Sequence, residues 1–208
     1  MTWIPNCNGQ PIDLVNPSLD QVDFVAMAHA LANLNRYVGA GYQQVSVGLH
    51  VLIGLDFCPE PLKPYWLLHD GHEERLGEIA TPVLQALQNT AREVFNETAA
   101  IVIKRAVAEF KLRHDRVIHE AAGLRLPSAD ERRQIAEIDV LCLAIEHRDF
   151  HRPSARKWKH EIDGVQPGRS IRRWQSPDKI AEQIIARFER YLPALRGEAH
   201  ASLPFEGA

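Results

Sequence analysis

The chain has 208 residues, 45% of them hydrophobic and 25% charged, which suits one soluble globular core. A net charge of −3 excludes the basic footprint of a nucleic-acid polymer binder. Three scattered cysteines (Cys7, Cys58, Cys142) exclude a disulfide framework, and no apolar run approaches the roughly 18 residues of a membrane span. With no basic, apolar leader, the expectation is a cytoplasmic protein without nucleic-acid or membrane partners.

In chain order, Thr2 to Val15 reads as a hairpin turning at Asn8-Gly9. A helix is expected from about Asp20 to Arg36, with Val22, Val25, His29, Ala32 and Arg36 on one stripe. Arg36 on that stripe needs an anionic partner, either a protein carboxylate or an anion in a cleft. Ser46 suits the N-cap of a helix through Phe57 that carries His50. A short helix over Pro61 to Gly71 delivers His69-Asp70, followed by Glu73 and Glu78. Thr81-Pro82 reads as N-cap and N1 of a helical region through Phe110, broken near Gln88-Asn89-Thr90. Val94, Ile101 and Ala108 form its inward stripe, and Val117 to Ala122 forms a separate helical piece. Ser128 and Glu131 make a capping box for a helix reaching Arg148. Asp139 lies there among Ile135, Ile138, Cys142 and Ile145, with Glu146 on its stripe as a supporting partner. Phe150 to Gln175 reads as a wrapping loop anchored by Trp158 and Trp174, and Ser176-Pro177-Asp178 starts the last helix. The expected unit is one domain over residues 1–196 with a disordered tail over 197–208.

The chemistry centres on His69-Asp70. An imidazole and a carboxylate on adjacent residues can share one divalent cation, and His50 and Asp139 complete a mixed nitrogen and oxygen set. That set suits Mn, Co, Fe, Ni or Zn, and Mg less well. Such a cation lowers the pKa of a bound water and polarises a phosphoryl group. Glu73 is the expected water-orienting base, Glu78 a group for a substrate hydroxyl or leaving group, and Arg36 the phosphate binder. Tyr37 is a candidate for stacking on a base and His72 for lining the pocket. Lys63, Arg75 and His72 are candidates for extra phosphate contacts. A second pair, His114-Asp115, lies in the charged run Lys111 to Arg116 and reads as solvated.

These residues resemble the HD-domain metal-dependent phosphohydrolases over nearly the whole chain. Asp23 to Tyr37 looks like that family's helix ending in Arg-aromatic, and Ser46-Val47-Gly48-Leu49-His50 like its Ser-Val-Ala-Gln-His. His69-Asp70-Gly71-His72-Glu73 and Gly77 to Pro82 look like its HDxxE and Gly-Asp-x-Pro-x-Pro segments, and Asp139 to Asp149 like its Asp-bearing helix. Glu78, Leu49 and His72 depart from the pattern, which has Asp, Gln and a small residue there. The resemblance implies an all-α helical bundle with a short N-terminal β-hairpin and a long loop before the last helix. It implies one divalent ion held by His50, His69, Asp70 and Asp139. It further implies a small-molecule (deoxy)nucleotide substrate and a homo-oligomer. The branch includes bacterial deoxynucleoside 5′-monophosphatases and compact phage deoxyadenosine triphosphate triphosphohydrolases, so 5′-nucleotidase or triphosphohydrolase activity is expected. The alternative is a non-catalytic, metal-containing nucleotide sensor.

Overall fold

The computed structural model describes residues 2–155, 162, 164–167 and 173–200, with side chains through Arg196. Strand β1 (Trp3–Pro5) pairs antiparallel with β2 (Pro11–Asp13), Ile4 opposite Ile12. Gly9 takes φ +77° in the turn, and Asn6 Oδ1 accepts the backbone N–H groups of Asn8 and Gln10, so local turn chemistry closes the hairpin. Everything else of regular structure among the described residues is helical, in agreement with the all-α expectation.

Helix α1 (Phe24–Asn33) starts at Asp23, whose side chain accepts from Val25 and Ala26 N–H. It buries Ala26, Met27, Ala28, Leu31 and Ala32, so of the expected stripe Ala32 is buried, while Val25 is exposed and Arg36 lies beyond the helix. The helix ends early because the following segment pairs with a distant one. Arg36 N–H donates to Val45 O at 2.9 Å and Val47 N–H to Leu34 O at 2.9 Å. The chain then turns through Tyr37 (φ 58°) and Val38 (φ 55°), a left-handed pair unusual outside glycine.

Helix α2 (Val47–Leu55) is the central element, capped by Ser46 as expected and buried at every position. A helix apolar on all sides belongs in the middle of a core. Its glycines permit close approach. A Cβ on Gly48 would meet Ile180 and Ile184 at 2.8 and 2.9 Å, and one on Gly54 would meet the Trp66 ring at 1.9 Å. Helix α3 (Lys63–Leu68) brings Trp66 against α2, its Nε1–H donating to Val51 O at 2.8 Å. A turn over His69 to His72 leads into the short α4 (Glu73–Leu76).

Helix α5 (Thr81–Val94) starts one residue earlier than expected, with Ala80 as N-cap, and runs unbroken through Thr90. The break falls at Phe95-Asn96, where the Asn96 side chain accepts from Ala99 N–H and caps α6 (Glu97–Ala121). Val117 to Ala121 is therefore the end of α6 and not a separate piece. The two helices pack on each other, and the expected inward stripe faces outward: Val94 is 65% exposed, and Ile101 and Ala108 are also exposed. Helix α7 (Ala129–Phe150) begins with the expected Ser128/Glu131 capping box. Helix α8 (Pro177–Tyr191) packs Ile180, Ile184 and Phe188 into the core beside α1 and α2. Trp174 is 51% exposed rather than buried as an anchor, while Trp158 lies outside the described residues. The backbone of α9 (Pro193–His200) continues past the expected domain end, and Ala194 N–H donates to Ala122 O at 3.1 Å. Residues 201–208 lie outside the described residues. No helix among the described residues is long and apolar enough to cross a membrane.

Gly54→Ala forces its new methyl group into the Trp66 ring, and overpacking of this kind costs about 1–3 kcal/mol. Urea unfolding of the variant is expected to show that loss. An unchanged midpoint would mean that α2 and α3 are not packed this closely.

Candidate metal centre and its surroundings

The fold brings His50, His69 and Asp139 into one group, with Asp70 beside the two imidazoles. His50 comes from α2, His69 and Asp70 from the turn after α3, and Asp139 from α7. His50 Nε2 lies 3.3 Å from His69 Nε2, 3.3 Å from Asp139 Oδ1 and 3.7 Å from Asp70 Oδ2. His69 Nε2 lies 3.1 Å from Asp70 Oδ2. One ligand atom from each of His50, His69 and Asp139 falls within 4.8 Å of the others.

The tautomers are set from behind. His69 Nδ1–H donates to the Trp66 carbonyl at 2.6 Å, and its ring stacks on Trp66 at 4.0 Å. His50 Nδ1–H donates to Glu146 Oε1 at 2.7 Å. In the neutral imidazoles both lone pairs then sit on Nε2, facing each other and two carboxylates. Such a constellation could hold a divalent cation, or protons in its place. Burial works against charge on His69, but Asp70, with help from Asp139 and the Trp66 carbonyl, raises its pKa to about 9. Burial likewise opposes the Asp70 charge, and His69, His50 and Arg36 outweigh it to hold that carboxyl well below its ordinary range.

Glu146 is fully buried and organises this back wall. It accepts from His50, from Arg36 Nε at 3.1 Å and from the Tyr37 hydroxyl. Burial alone would raise its pKa, but Arg36 and His50 hold it at about 2. Arg36 therefore takes the first of the two options open to it from sequence, a protein carboxylate. Its Nε binds a protein carboxylate, while Nη1 and Nη2 lie 3.8 and 4.0 Å from Asp70 and Asp139 at the edge of the ligand set. Asp139 is half exposed, not enclosed in the apolar face, because α7 borders the cleft there. The Tyr37 ring meets His151 edge-on at 4.5 Å, so its contacts are with protein groups on both sides.

On the other side of Asp70 lie Glu73, Glu78 and His72. Burial first, then the Asp70 charge, raises Glu73 to about 8, and its Oε2 has no hydrogen-bond partner. Glu78 is not a solvated surface group. Burial raises its pKa, it accepts from the Tyr37 backbone, and its Oε2 is also buried without a partner. His72 is buried rather than on the outside of the turn, and Nδ1–H donates to Asp115 Oδ1 at 2.8 Å. The His114-Asp115 pair, expected to be solvated, is thus divided. His114 is buried with Nε2–H donating to Leu14 O at 3.1 Å, and Asp115 faces the site.

The charge of Lys111, one helical turn before Asp115, lowers the pKa of both Glu73 and Glu78, and sequence reasoning missed it. Lys111, Asp115, Ile118 and Ala122 follow i, i+4, i+7, i+11, and the last two are fully buried, so the stripe was there to be read. Neither Lys63 nor Arg75 joins the site. Lys63 pairs with Glu60, and Arg75 is buried against Glu74 and the Gln21 carbonyl.

His69 and Glu73 hold protons more tightly in the folded chain, from ordinary values of 6.5 and 4.5 up to about 9 and about 8. Their contribution to stability is complete below the ordinary values and is lost as pH rises through the folded ones. Metal-free protein is expected to melt at progressively lower temperature as pH rises through that range. A divalent cation competes with the same protons, so its stabilising effect should grow with pH. Melting curves in chelator and in Mn check this, and a cation effect that is flat with pH contradicts it. Comparison with known proteins adds nothing to this geometry: no family model matches the chain, and no curated protein matches it.

Proposed function

We propose that the chain is a divalent-metal-dependent phosphohydrolase acting on (deoxy)nucleotides, of the HD-domain kind its sequence resembles. One observation supports this above the others: two imidazole Nε2 atoms with fixed tautomers converge with Asp70 and Asp139, beside a buried Glu73 whose Oε2 is free. The donor set suits Mn, Co, Fe, Ni or Zn better than Mg. His50, His69, Asp70 and Asp139 would hold the ion, which when bound supplies Lewis acidity and a water of lowered pKa.

The remaining chemistry belongs to this chain. Glu73, buried beside Asp70, orients the attacking water and takes its proton at one carboxylate oxygen. Arg36 offers Nη1 and Nη2 to a phosphate oxygen, with Nε fixed by Glu146 so that the fork does not swing away. Lys111 adds a second positive group on the Glu73 and Glu78 side. Glu78 receives a substrate hydroxyl or protonates the leaving oxygen. Tyr37 acts as a positioning residue through Glu146, with its hydroxyl donating there.

Phosphate release is to be measured from nucleoside mono-, di- and triphosphates with Mn, Co and Mg, identifying the inorganic product. Turnover should need the cation. Glu73→Gln should lower kcat by about 10²–10⁴-fold while His50, His69, Asp70 and Asp139 still bind metal. Nucleotide binding without turnover by any cation would instead favour the sensor alternative. Parent-rate turnover by Glu73→Gln would remove Glu73 from the reaction.

A further inference from the structure

A second group of ligand atoms adjoins the first. One oxygen of Asp70, one ring nitrogen of His72 and one oxygen of Glu73 lie within 4.8 Å of one another. His72 and Glu73 are both more than nine-tenths buried, at 5% and 6% exposure. His72 Nδ1–H is committed to Asp115 at 2.8 Å, which in the neutral ring leaves the lone pair on Nε2. That Nε2 is shut away from solvent with no hydrogen-bond partner, and Glu73 Oε2 is in the same condition. Buried acceptors left bare in a native fold call for an occupant. A single water could serve the two bare atoms but would leave the Asp70 oxygen beside them unused, whereas a cation can be shared by all three. Carboxylate behind histidine, with the far nitrogen free, is the usual support for a metal-binding imidazole.

We infer that Asp70, His72 and Glu73 form a second divalent-cation site, with Asp115 as its positioning residue. The mixed nitrogen and oxygen set suits Mn, Co, Fe, Ni or Zn. Asp70 borders both groups, since its Oδ2 lies 3.1 Å from His69 Nε2 and 3.7 Å from His50 Nε2. Its carboxylate would therefore stand between the two ions, as a shared ligand of a two-metal phosphate site. This rests on the reading of the first site as a metal centre. It extends that reading to a clamp of two cations on one phosphate, with the other Glu73 oxygen kept for the water.

The test is titration of the metal-stripped full chain with Mn(II), followed by electron paramagnetic resonance and by metal analysis after desalting. Two equivalents are expected, and filling the second site should convert an isolated-ion spectrum into a spin-coupled one. His72→Ala should take one equivalent and show only the isolated-ion spectrum. Asp115→Asn should weaken the second event by about 10–100-fold and leave the first. One equivalent at saturation in the parent chain, or two in His72→Ala, overturns the second site alone. No bound ion overturns the first site as well. If His72→Ala does not fold, the parent stoichiometry and spin coupling still decide.

Discussion

The candidate site depends on one buried carboxylate. Glu146 sits on α7 with no solvent access and binds His50, Arg36 and Tyr37. A carboxylate this deep is tolerable only with several charged or polar donors. It has them, and the arrangement constrains each donor in turn. His50 is locked in the tautomer that turns its lone pair toward His69 and Asp139. Arg36 is held on a segment that has left α1 to pair with Val45. Tyr37 keeps an unfavourable positive φ that delivers its hydroxyl. The burial of α2 on every face gives this network a rigid backing.

Much of this was legible where the signal was local. The Asn8-Gly9 turn, the Ser46 cap and the Ser128/Glu131 capping box each involve residues a few positions apart, and each forms. His50, His69, Asp70 and Asp139 could be grouped from sequence because each lay on or beside an apolar face where a polar group needs a reason. Reading failed where distant contacts decide. Nothing near Asn33 signals the end of α1; the pairing of Leu34 and Arg36 with Val47 and Val45 imposes it. Thr90 and Glu93 carry a capping pattern inside a continuing helix, while Asn96, only a few residues on, caps the real one.

Lys111 and Asp115 show a different failure. The charged run Lys111 to Arg116 reads as a solvated surface, yet one helical stripe through it ends in the buried Ile118 and Ala122. That stripe carries the positive charge near Glu73 and Glu78 and the carboxylate that orients His72. The His69-Asp70 motif therefore looks two ways. Its front face meets His50, Asp139 and Arg36, and its rear face meets His72, Glu73 and their support from α6.

The central claim is that His50, His69, Asp70 and Asp139 hold one divalent ion between them. The most direct measurement is an anomalous difference map from crystals of the protein loaded with Mn. The account predicts a peak within bonding distance of both Nε2 atoms and of oxygens from Asp70 and Asp139. A map with no peak there, or with the imidazoles turned so that Nε2 points away, would contradict it.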